Sequence, residues 1–107
     1  MEYKQEIKKI VDKIVKNYKP EKIILFGSFA NGKPNKDSDV DLFIVKNTKK
    51  NLLERIRKVD RILMDRVIPI DILVYTPGQV RERLNLGDFF VKDILTNGKV
   101  LYDKLYT

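Results

Sequence analysis

The stretch Asp39-Val40-Asp41-Leu42 carries the clearest chemistry in the chain. Side chains alternate faces along a strand, so Asp39 and Asp41 point one way while Val40 and Leu42 point into the core. The two carboxylates start roughly 6.5 Å apart, from a rise of ~3.3 Å per residue. From there both can converge on a pair of cations ~3.5–4 Å apart. Without such cations they repel and raise each other's pKa. A further carboxylate, Asp71, interrupts the apolar run Ile70-Asp71-Ile72-Leu73-Val74. A charge flanked this way is rarely buried without a partner. It reads either as the third member of an oxygen site, if its strand lies beside the second, or as a strand-end Asp facing solvent or a Lys or Arg.

Gly27-Ser28 follows the first apolar run directly. A glycine there lets a phosphate approach the backbone, and the turn offers free N–H groups and the Ser hydroxyl. Gly-Ser after a strand is by itself an ordinary turn. Its meaning lies in the ten residues between Ser28 and Asp39, because an antiparallel return brings turn and carboxylates to one end of a sheet.

Two absences narrow the chemistry. With no Cys and no His, thiolate nucleophiles, Cys-type zinc sites, imidazole bases and Ser-His-Asp arrangements are excluded. Any metal must sit among oxygens, which favours Mg²⁺, Mn²⁺ or Ca²⁺. Acid–base work falls to carboxylates, Lys or Tyr. Two look-alikes fail. The run from Gly27 to Lys33 matches a phosphate-binding P-loop until Pro34 stands where Ser or Thr must bind Mg²⁺. The run Asp37-Ser38-Asp39-Val40-Asp41 starts like an EF-hand, but Leu42 and Thr48 stand where that loop needs Gly and Glu.

The elements that must position these residues can be read from periodicity. Tyr3, Ile7, Ile10, Val11, Ile14 and Val15 predict an amphipathic helix over 2–18, stopped by Pro20. Ile23 to Phe26 and Val40 to Val45 read as strands joined by a polar connection. Leu52, Leu53, Ile56, Val59, Ile62 and Leu63 predict a helix over 50–66, and Ile68 to Tyr75 a third strand. Pro77 opens a short helix through Arg83. Leu86, Phe89, Phe90, Ile94 and Leu95 form a last helix ended by Asn97-Gly98. Val100-Leu101-Tyr102 adds an edge strand. Helix and strand intermingle, so the fold class expected is α/β (α+β): a small sheet domain, one unit over 1–107. Phe26, Phe29 and Phe43 are expected in the core, and so are Phe89 and Phe90.

The net charge of +7 suits a polyanionic partner, but the cations are spread through every helical segment as on a solvated surface. No run is long enough to span a bilayer, and no basic-then-apolar leader opens the chain, so the expected compartment is the cytoplasm.

Leu25-Phe26-Gly27-Ser28, ten residues, then Asp39-Val40-Asp41-Leu42 resembles the signature of the DNA polymerase β nucleotidyltransferase superfamily. The short length and the Asp of Ile70-Asp71-Ile72 resemble in particular its minimal nucleotidyltransferases, the antitoxin-like group. The resemblance implies the polymerase β-type fold, a small mixed β-sheet flanked by helices, with two Mg²⁺ ions on Asp39 and Asp41 and the catalytic one also on Asp71. It implies nucleotide contacts at Gly27, Ser28, Ser38 and Lys33, and ATP as donor. An acceptor hydroxyl would attack the α-phosphorus, with Asp71 accepting its proton or orienting it.

Members of this group resemble enzymes that transfer AMP onto a Tyr of a HEPN-domain toxin encoded nearby, as antitoxins of type VII pairs. That implies a protein acceptor, with nucleic acid not the direct substrate. The family's Ala-Arg-Gly is Ala30-Asn31-Gly32 here, which removes an Arg expected near phosphates. Two other readings stay open: a non-catalytic module that neutralises its partner by contact, and a small-molecule nucleotidyltransferase.

Overall fold

In the computed structural model, residues 3–32 and 39–106 are described. Helix α1 (Tyr3–Tyr18) buries Ile10, Val11, Ile14 and Tyr18 along one stripe and ends where Lys19 turns to a φ of 53° ahead of Pro20. Strand β1 (Lys22–Phe26) and strand β2 (Val40–Val45) follow, then helix α2 (Leu52–Ile62) and strand β3 (Ile70–Tyr75). Helix α3 (Pro77–Asn85), helix α4 (Phe89–Asn97), strand β4 (Lys99–Asp103) and a 3₁₀ turn over Lys104–Tyr106 complete the order.

The four strands form one mixed sheet in the order β3-β2-β1-β4. β1 is antiparallel to both β2 and β4. β2 and β3 are parallel, with α2 as the crossover that a parallel pair requires. This is the mixed sheet flanked by helices that the family resemblance implies.

Alternation divides the sheet into two unequal faces. Ile23, Leu25, Val40, Leu42, Ile44 and Val74 pack under α1 and α2 in a cluster of thirteen buried residues. Among the described residues the opposite face has a smaller buried cluster, Ile24, Phe43 and Val45 with Val91 and Ile94 of α4, edged by half-buried Phe26, Leu73 and Tyr75.

Several boundaries differ from expectation. α2 begins after Asn51, whose side chain caps the Glu54 N–H at 2.9 Å, and ends at Ile62 rather than 66. The third strand starts at Ile70 rather than Ile68, because Pro69 has no N–H for the ladder; its carbonyl accepts from the Val40 N–H at 3.0 Å. α3 runs to Asn85, two residues past Arg83, under a capping box of Thr76 and Gln79. Leu86 does not belong to the last helix: it caps α3, Gly87 turns at φ 78°, and Asp88 opens α4 by accepting from the Phe90 and Val91 N–H groups. The expectation that Phe89 and Phe90 lie in the core fails. They are 83% and 51% exposed, because Val91 and Ile94 take the positions that face the sheet.

Candidate functional site

Three strand ends meet at one edge of the sheet: the end of β1 and the starts of β2 and β3. Phe26 is opposite Asp41, and Asp41 is opposite Asp71. Asp41 lies on the face of β2 that carries Phe43 and Val45, so it points to the sparsely covered side under α4. Asp39, just before β2, and Asp71 are exposed, whereas Asp41 is half-buried. The antiparallel return therefore brings Gly27, Ser28, Asp39 and Asp41 together, and the parallel β2–β3 pair adds Asp71.

The Asp41 carboxyl is held above its ordinary value, first by burial and then by the negative charges of Asp71 and Asp39. Among the described residues no three acidic groups are gathered closely enough to hold a metal ion as they stand.

Gly27 supplies the other wall. Its φ is 77°, in the left-handed region that favours glycine. A Cβ at this position would overlap Asp41 Oδ2, so the carboxylate rests against the bare backbone of the turn. The Gly27 carbonyl accepts from the Ala30 and Asn31 N–H groups, both at 3.1 Å. This single turn leaves the Ser28 and Phe29 N–H groups without an acceptor among the described residues, the arrangement of donors that suits a phosphate oxygen. Asn31, where the superfamily pattern has Arg, is exposed. Ser38 and Lys33, both expected near the nucleotide, lie outside the described residues.

The donors are all oxygens, the half-buried one is destabilised by its neighbours' charge, and the glycine wall leaves room beside it. Such a set suits a hard divalent cation. Two features escaped the sequence reading. One is the contact between Gly27 and Asp41, visible only once the hairpin register is known. The other is the flank of Phe90, packed edge-on against Phe26 with centroids 5.8 Å apart. The spacing of Leu86, Phe89 and Phe90 signals a helix but not which residues it leaves exposed.

This geometry and fold define a class, and the comparisons agree. Residues 8–106 match the family described as Polymerase beta, Nucleotidyltransferase, and the chain belongs to that family: it is a nucleotidyltransferase of the polymerase β superfamily. Among curated proteins it is similar to one from Methanocaldococcus jannaschii named "Putative protein adenylyltransferase", 29% identical over 104 residues that span 95% of this chain and all of the relative. Its fold is similar to that of a crystal structure titled "putative nucleotidyltransferase" from Sulfolobus solfataricus, at a TM-score of 0.65 and 21% identity, covering 94% of this chain and 80% of the other. No helix among the described residues is long and apolar enough to cross a membrane.

Proposed function

We propose that the chain transfers AMP from ATP to a tyrosine hydroxyl of a HEPN-type toxin, acting in the cytoplasm as the antitoxin of a type VII pair. The observation that carries the chemistry is the half-buried Asp41, flanked by Asp39 and Asp71 and resting on Gly27. The M. jannaschii relative, matched over its whole length and named for protein adenylylation, supports a protein acceptor. So does the apolar flank of Leu86, Phe89 and Phe90, since exposed apolar surface beside a site suits a macromolecule better than a small polar acceptor.

Asp39 and Asp41 would hold two Mg²⁺ ions, with Asp71 a ligand of the catalytic one. When bound, these ions supply charge neutralisation for the triphosphate and for the attacking and leaving oxygens. The turn does the rest of the holding: the Ser28 and Phe29 N–H groups and the Ser28 hydroxyl donate to phosphate oxygens, and Gly27 lets them come close. Ser38 and Lys33 add contacts to the same triphosphate. Asp71, exposed at the rim, orients the incoming hydroxyl and receives its proton. The new bond joins the acceptor oxygen to the α-phosphorus, the α–β anhydride breaks, and pyrophosphate leaves. Catalysis is positioning and electrostatics, which requires no imidazole.

A second reading, neutralisation by contact alone, is favoured by Asn31 in place of Arg. One experiment separates the two. The protein is incubated with Mg²⁺, α-labelled ATP and the HEPN protein encoded beside it, in parallel with Asp39→Ala and Asp41→Ala. Label on the partner that both substitutions abolish supports adenylylation; neutralisation by the wild type without label supports contact.

A further inference from the structure

The carboxylates occupy one end of the sheet; the other end is strongly basic. A recess of about 570 Å³ opens where β2 ends and α2 begins, and Lys46, Lys50, Arg55, Arg57, Lys58 and Arg61 line it against the single carboxylate of Glu54. Lys46 follows the last residue of β2 and Asp39 precedes the first. Seven steps along the strand at ~3.3 Å each put roughly 23 Å between them. A nucleotide held at the carboxylates does not reach this recess.

Among the described residues most of these cations have no close ion pair. The side chains of Arg57, Lys58 and Arg61 make no ion pair or hydrogen bond to any described residue. Arg57 and Arg61 stand four residues apart on α2, a spacing at which like charges destabilise a helix. Lys46 donates to the Lys19 carbonyl at 3.1 Å and lies over the Tyr18 ring at 5.1 Å, so it too is held without a carboxylate. Lys50 is only loosely paired, 3.9 Å from Glu54.

Arg55 is a second, independent sign. It is 7% exposed, and its guanidinium donates to the Lys50 carbonyl at 2.7 Å, the Val74 carbonyl at 3.1 Å and Gln79 Oε1 at 2.9 Å. All three acceptors are neutral. Buried charges are ordinarily paired with an opposite charge, and this one, at the wall of the recess, meets no anion among the described residues.

We propose that this recess is a second anion site that takes a ligand carrying several phosphates, separate from the catalytic end. Its volume falls within the range of small-ligand sites, ~300–1,000 Å³. Guanidinium forks and clustered ammonium groups match phosphate oxygens in geometry as well as charge. A single surface carboxylate leaves most of the six cations unmatched, whereas a phosphate chain meets several at once. The same chemistry is offered by a free nucleotide or by the phosphodiester chain of a nucleic acid.

The test uses the full chain in EDTA, so that the carboxylate end plays no part. Sodium tripolyphosphate is titrated by calorimetry, and a labelled 16-nucleotide single-stranded RNA by anisotropy at two salt concentrations, with poly-glutamate as a non-phosphate polyanion. Arg57→Glu/Arg61→Glu is compared with Lys4→Glu/Lys8→Glu, the same charge change at the same spacing on exposed α1 positions; circular dichroism verifies that both variants fold. The expected result is binding of at least one phosphate probe, weakened roughly tenfold or more by the α2 pair and hardly by the α1 pair. For the RNA, the α2 pair also lowers the salt slope by about 2. Tripolyphosphate alone binding identifies a free nucleotide as the source; RNA alone identifies a nucleic acid. Binding of neither probe, equal weakening by both variants, or poly-glutamate binding as tightly as phosphate would overturn the assignment.

Discussion

The two faces of the sheet are built from the same strands to different ends. Under α1 and α2 the surface is sealed: Val40, Leu42 and Ile44 of β2 are all fully buried. Under α4 the buried cluster is smaller, and the residues that alternate with those three are Asp39, Asp41, Phe43 and Val45. Two residues of that face are core and two are carboxylates. The same strand therefore anchors the fold with one side and offers chemistry with the other, so stability and activity are separable by parity of position.

The largest expected effect tests that separation directly. Asp41→Asn should lower nucleotidyl transfer by about a hundredfold or more, the scale of losing a group that stabilises developing charge, while leaving the fold intact. In EDTA it should raise the melting temperature. The sign follows from linkage: the Asp41 carboxyl is raised above 3.8 by burial and then by Asp71 and Asp39. Its favourable contribution is therefore present below the ordinary carboxylate range and lost as pH rises through the raised value. The gain from Asn should appear at neutral pH and vanish in acid. A melting temperature lowered at neutral pH would show that Asp41 is part of the core after all.

Matched deletions compare the faces next. Ile44 of the sealed face and Ile94 of α4 are 0% and 2% exposed. Isoleucine-to-alanine changes in cores cost ~2–5 kcal/mol, less where neighbours can collapse into the gap. Urea denaturation should place Ile44→Ala near the top of that range and Ile94→Ala near the bottom, because α4 lies on the smaller cluster. Equal costs would mean that both faces are equally fixed.

A smaller effect is expected at Gly27→Ala. The left-handed conformation costs a side chain roughly 1–2 kcal/mol, and the new methyl must also displace Asp41 Oδ2. Transfer should fall by more than the stability loss explains, measured as activity at a temperature where the variant remains folded. Smallest of all is Phe89→Ser. At 83% exposure the ring should leave stability within ~0.5 kcal/mol, and acceptance of a protein substrate should weaken instead.

Legibility in the sequence followed the range of the interaction. Asp39 and Asp41 could be paired because strand alternation is local, and Gly27-Ser28 could be brought to them because a hairpin needs only one reversal. Asp71 needed the parallel pairing of β2 with β3, which no local pattern encodes; the family resemblance supplied the expectation. The start of α4 was misread because Leu86, Phe89, Phe90 and Ile94 satisfy helical spacing across the Gly87-Asp88 break. Arg55 was invisible among 22 cations, since its neutral acceptors come from three separate segments. The split of the sheet into a thick and a thin face depends on where α4 lands, a tertiary fact.

The order of the strands has a consequence for how the molecule is made. β1 pairs with β4, so Leu25 waits for the distant Lys99 before its second edge is covered. A chain emerging from the ribosome can close β1 on β2 early, but until β4 emerges the hairpin presents an open row of N–H and C=O groups on an apolar strand. Contacts of such long sequence separation form late, and open strand edges invite pairing with other chains. The nascent protein thus passes through a stage in which its carboxylate strand is in place and its sheet is still unfinished.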